Sequence, residues 1–291
     1  MAAGTGIDKP TNMSTMAITA ADVNKLRQIT GAGMMDCKKA LTEANGDFDG
    51  AIDYLRKQGQ KVAAKRADRD ASEGLVIAST TADGTKGVLV CVNCETDFVA
   101  KNADFTAMAE RIAAIALEKG ADDIDALKSA AYDSNGQTIA EKLIEQTGVI
   151  GEKIDVSACH GLTAGFVYAY NHPGNKVASL VGLSKPGFDG VAKDVAMQVA
   201  AMAPIALDKS STPQSVIDKE LEIGKDLAIQ EGKPADMAEK IAVGRLNKFF
   251  KESTLLAQDF IKDNKLNVEQ YVKSADKDLV VTGFKRHSLT I

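Results

Sequence analysis

Between Ile18 and Leu55 apolar residues recur at helical spacing, with polar residues filling the gaps. That pattern predicts short helices with one face turned to a core. Thr19 is placed to cap the first helix, which buries Val23, Leu26 and Ile29. The second puts Met34, Cys37 and Leu41 on one stripe. The third starts at Asp47 and buries Phe48, Ala51, Ile52 and Leu55, and Gly59 is placed to end it. The reading is a three-helix N-terminal domain over 18–59, followed by a polar, partly helical linker over 60–71.

From Glu73 the period changes. Leu75-Val76-Ile77 and Val88–Val92 read as strands around Asp83-Gly84, a hairpin turn signal. A helix from Asn102 to about Glu118 carries Phe105, Met108, Ala109, Ile112 and Ala116 on one face. The same order recurs. Phe166–Tyr170 and Val177–Leu183 flank His172-Pro173-Gly174-Asn175, and a helix follows from Gly190 to Met202. The segment AMQVAAMAPIAL (196–207) echoes AMAERIAAIAL (107–117). These features predict an α+β protein: a three-helix bundle followed by two related antiparallel hairpin-plus-helix subdomains, over 72–150 and 151–291. The second includes a helical hairpin over 212–257, with Thr212-Pro213 and Lys233-Pro234 at its helix starts and Gly232 between them. Asp278–Phe284 returns as a short strand. Residues 1–17 lack the apolar run of a signal peptide and read as a disordered leader, with Met13 or Met16 a candidate start.

Composition narrows the function classes. The chain has 291 residues, enough for two or three domains. Its 45% apolar and 26% charged residues are those of an ordinary globular protein. The net charge of −5 argues against a phosphate-backbone binder, which needs a concentrated basic face. One basic cluster exists (Arg56, Lys57, Lys61, Lys65, Arg66 and Arg69), but Asp68 and Asp70 interrupt it, and it reads as a solvated helix face. The expected partner is a protein, with no direct nucleic-acid contact. No apolar stretch approaches the ~20 residues of a membrane span, so no membrane role is expected. Without an export signal the expected compartment is the reducing cytoplasm, where the four cysteines are free thiols.

Candidate chemistry is sparse. Cys91-Val92-Asn93-Cys94 has thiol-pair spacing, but a zinc site needs two more ligands and a redox pair needs a helix N-terminus. Residues three apart on a strand point to opposite faces. Gly31-Ala32-Gly33 opens a helix but has Asp36 where a dinucleotide loop needs glycine, and a helix precedes it. His160, His172 and His287 are scattered, and no nucleophile–base pair is visible. No enzyme activity, cofactor or metal is expected.

Two apolar groups remain. Met34 and Met35 lie about 100° apart on their helix. Met34 joins the core stripe, and Met35 then sits among Lys38, Lys39 and Thr42. A lone surface methionine is either incidental or a soft contact for a partner helix. The second group is the strand-to-helix turn, Thr96-Asp97-Phe98-Val99. An acid stands before a phenylalanine in a connection that is normally polar. Phe98 is either a plug for its own core or an anchor in another protein's. Stapling of a helix start favours the plug.

TGAGMMDCKKALTEANGD (30–47) and NCETDFVAKNADF (93–105), with KPADMAEKIAVGRLNKF (233–249) and VTGF (281–284), resemble the bacterial translation elongation factor Ts family. The resemblance spans Ile18 to Phe284. It implies a ubiquitin-associated-type N-terminal bundle and a guanine-nucleotide exchange factor for elongation factor Tu. It implies that Thr96, Asp97, Phe98 and Val99 wedge into the GTPase and disturb its Mg²⁺ and phosphate site. Met34, Met35 and Lys38 then contact another face of the GTPase domain. The second subdomain reaches elsewhere on the partner through Gln198, where family members often carry histidine. Longer members add a C-terminal docking helix, and this chain stops at Ile291, so that contact is expected to be missing. The resemblance leaves the oligomeric state open.

Overall fold

A computed structural model of the chain describes residues 18–290. The leader expected over 1–17 lies outside them. In chain order the elements are α1 (Ala20–Thr30), α2 (Met34–Glu43), α3 (Phe48–Lys65), β1 (Glu73–Thr80), β2 (Lys86–Cys94), α4 (Asp97–Ala100) and α5 (Ala103–Lys119). Then come α6 (Ile124–Ser129), α7 (Ile139–Ile150), β3 (Asp155–Thr163), β4 (Phe166–Asn171), β5 (Val177–Leu183) and α8 (Asp189–Met202). Last are α9 (Gln214–Gln230), α10 (Ala235–Ser253), β6 (Asp259–Phe260), β7 (Asp263–Asn267), α11 (Val268–Ala275) and β8 (Val281–Ser288). They form two compact units. Of the described residues, one holds those up to Arg69 together with Leu143–Lys153, and the other holds Asp70–Lys142 and those from Ile154 onward.

The first unit starts as the sequence pattern predicts. Thr19 and Asp22 form a capping box on α1, and Gly31 ends that helix at φ 69°, where a side chain would be strained. Val23, Leu26, Ala32, Cys37, Ala40, Leu41 and Ala51 make the core. Two expected core members lie outside it: Ile29 is 57% exposed and Met34 is 58% exposed. Met34 is the first residue of α2, and the buried stripe begins a turn later at Cys37. Gly59 does not end the third helix. α3 runs on to Lys65, so residues 60–65 of the expected linker are helical. Gly59 serves as a crossing point instead: a Cβ on Gly148 of α7 would stand 2.4 Å from the Gly59 Cα. The helices approach that closely because Gly148 carries no side chain at the contact.

The second unit is a sandwich of two three-stranded antiparallel sheets, ordered β1-β2-β3 and β4-β5-β8. Val76, Ala78, Leu89, Cys91 and Ala158 from one sheet pack on Val167, Ala178 and Leu180 from the other. Each sheet is a hairpin plus a third strand that pairs with the hairpin's second strand. The outer face of the first is covered by α5, which buries Phe105, Met108, Ala109, Ile112, Ala113, Ile115 and Ala116. The outer face of the second is covered by α8, in a core with Val181, Leu183, Leu255, Val272 and Leu279. The expected repeat of two hairpin-plus-helix subdomains is therefore present. β3, α6, α11 and the β6–β7 pair extend it. The helices α9 and α10 form the expected antiparallel hairpin, closing tightly where Gly224 meets Ala242.

Candidate functional site: the exposed turn after β2

β2 pairs with β1 from Gly87 onward, ending at the Glu73–Cys94 pair. The chain leaves the sheet at Cys94, whose buried thiol donates to the Thr96 carbonyl at 3.2 Å. Thr96 then takes the N-cap position of α4. Its backbone is extended, at φ −126° and ψ 154°, and its hydroxyl accepts from the Val99 N–H. A threonine there satisfies one of the helix's orphan donors. One turn later Ala100 is buried and the helix stops, because Asn102 caps α5 by accepting from the Asp104 and Phe105 N–H groups. Two caps six residues apart fix the direction of Asp97 and Phe98 without needing either side chain in a core.

One of the two readings of Phe98 fails. It is not a plug: 81% of its surface is exposed, the largest fraction among the exposed large apolar residues that the structure describes. Asp97 is half-exposed and accepts from Lys101 at 2.7 Å, an ion pair one helical turn apart. The Lys101 ammonium holds the Asp97 carboxyl below the usual carboxylate range, and Asp97 in turn raises Lys101. Val99 is half-buried beneath the turn. Lys101 was not among the residues singled out from sequence. Its spacing of four from an N-terminal acid was the available signal.

The other expected site residues are placed as follows. Met35 is 73% exposed beside exposed Met34 and Lys38, so both methionines of the pair face outward from the first unit. Gln198 is fully buried. Its amide donates to the Gln258 side-chain oxygen at 3.1 Å and to the Asp259 carbonyl at 3.2 Å, and accepts from the Ile261 N–H at 2.9 Å. The expected direct partner contact from Gln198 is therefore corrected: the side chain is spent inside the second unit, holding β6 and the turn after it.

Cys91 and Cys94 are both buried and unbridged, and burial pushes the Cys91 thiol up. Among the described residues no cluster of three His, Cys, Asp or Glu side chains could hold a metal ion. No helix there is long and apolar enough to cross a membrane.

Comparison with known proteins agrees with this architecture. The family model described as elongation factor TS matches residues 95–290, which include the exposed turn. Elongation factor Ts of Christiangramia forsetii is 57% identical over 274 residues, 94% of this chain and 98% of that protein. Its counterpart from Flavobacterium psychrophilum is 54% identical over the same shares. This chain belongs to the elongation factor Ts family. A third relative, from Amoebophilus asiaticus, is 53% identical over 93% of this chain. These matches reach well before residue 95, so the helical first unit falls within the family likeness as well as the sandwich. The protein is accordingly a factor of translation elongation.

Proposed function

We propose that this protein is a guanine-nucleotide exchange factor for elongation factor Tu, and that the turn carrying Asp97 and Phe98 drives GDP release. The observation that carries the reading is the 81% exposure of Phe98 on a turn held by caps at both ends. A large apolar side chain presented rigidly to solvent has its burial energy still to gain. Inserting it between two helices of the GTPase domain supplies about 2–3 kcal/mol. It does so with little loss of conformational freedom, as suits an interface anchor. The wedge displaces the elements holding Mg²⁺ and the phosphates. Asp97 arrives ionised at the same place, a negative charge close to where the GTPase gathers its own. No covalent bond is made or broken.

The free-energy logic is reciprocal. The factor weakens GDP by the amount by which GDP weakens the factor. Each ~1.4 kcal/mol of this coupling is a factor of ten in nucleotide affinity. Met34, Met35 and Lys38 supply a second contact on the GTPase domain, a soft apolar pair beside a cation. The second unit contacts the partner through groups other than the Gln198 side chain. The deciding experiment is stopped-flow release of fluorescent GDP from elongation factor Tu at increasing concentrations of this protein. A release rate that climbs with concentration is the expected result. A flat rate despite separately measured binding overturns exchange and leaves a holding protein.

A further inference from the structure

His160 and His287 come from opposite halves of the second unit, and the registers bring them to one edge of the sandwich. His160 pairs with Leu89 across β2–β3, and His287 pairs with Ala178 across β5–β8. Directly paired residues share a sheet face. Leu89 and Ala178 both belong to the core between the sheets, so both rings turn toward that core. Leu162 and Leu289, two residues further along β3 and beyond β8, pack on the same core. A Cβ on Gly283 would meet Leu162 at 3.6 Å, which sets β8 alongside β3 at this edge. Lys285 pairs with Leu180 and so shares the inward face with His287.

We propose that the β3–β8 edge is an acid-sensitive seam, in which protonation of His160 and His287 sets like charges beside Lys285 and loosens the packing of the two sheets. The surrounding charges support it. His160 feels Lys285, and His287 feels His160 and Arg286, the latter donating to the Ala200 carbonyl of α8. On β5's approach Lys176 is already paired with Glu73 of β1. Asp122 lies against Gly161, and Lys128 pairs with Asp155; these acids serve the opposite side of β3, where they raise Cys159 or hold α6. On α8, Asp194 is taken by Lys262 and Tyr271. Among the described residues the rings are thus left with cations and each other.

Half-burial and these cations both push the two histidines below the ordinary value of 6.5. The sign follows. The unfolded chain binds more protons than the folded one as pH falls into the histidine range. Stability is therefore full above it and declines on acidification until both rings are charged in both states.

The test is thermal melting of the full chain between pH 7.5 and 5.5, above the range where carboxylates protonate. The wild type is expected to lose several degrees over that span and the His160→Gln/His287→Gln variant markedly less. Since that variant alters half-buried positions, a second change at an exposed one keeps the proposal exposed to failure: Lys285→Glu gives the rings a counter-charge and should flatten the wild-type slope. Melting temperatures that fall equally in wild type and Lys285→Glu would overturn the seam.

Discussion

Asp97 and Lys101 form an ion pair at 2.7 Å across one turn of helix, and Phe98 stands beside them with 81% of its surface in solvent. The charged pair belongs to the free protein's own turn, whereas the ring between them has no intramolecular core to enter. Binding and stability should therefore separate at this site.

Phe98→Ala should leave the melting temperature of the free protein unchanged and reduce stimulated GDP release about 30-fold, the rate equivalent of ~2 kcal/mol of lost burial. Calorimetry and stopped-flow release check the two halves. A variant that unfolds would return Phe98 to the role of core plug.

Lys101→Met should raise the Asp97 carboxyl toward its ordinary value of 3.8, since the hydrogen bond from Lys101 is the largest cause of its depression. The sign is that of a lowered acid: the pair's contribution is present above about pH 4 and is lost as pH falls below the ordinary carboxylate value. Carboxyl NMR titration of both proteins reads it directly. At neutral pH the melting temperature should barely move, because exposed pairs contribute little.

Gly148→Ala and Gly59→Ala should differ, although both glycines sit at one helix crossing. The new methyl at 148 meets the Gly59 Cα at 2.4 Å, while at 59 its nearest neighbour is a carbonyl oxygen at 3.5 Å. Overpacking predicts a loss of about 1–3 kcal/mol for the first. The second should be neutral or gain up to ~1 kcal/mol in helix propensity. Urea denaturation of the two variants checks the ranking.

Gln198→Leu should cost roughly 2–4 kcal/mol by leaving the Ile261 N–H and the Gln258 side-chain oxygen without partners, while the Gln258 amide nitrogen keeps the Met202 and Glu252 carbonyls. Because Gln198 has no exposed surface, any effect on exchange should track this loss of stability rather than exceed it. A stable variant with strongly reduced exchange would restore Gln198 as a contact.

Much of the fold was legible because its signals are local. The Asp83-Gly84 turn, the Pro213 and Pro234 helix starts, and the caps at Thr19 and Asn102 act within a few residues. The turn at 96–99 could be found as an acid–aromatic pair in a connection, and its motif could be matched to a family.

Other features depended on what the chain meets later. The sequence alone determined that hairpins and helices alternate twice and which turn is unusual. Only the tertiary structure decided that Phe98 points to solvent, since a ring beside a helix start satisfies either fate until the packed neighbours are known. Only it decided that Gly59 is a crossing point rather than a stop, because the reason lies at Gly148. It turned Gln198 inward through partners about sixty positions away, at 258, 259 and 261. It also set His160 and His287 on one seam, because strand register joins residues far apart in sequence. Periodicity reports which face of an element is apolar; what covers that face is a property of the whole fold.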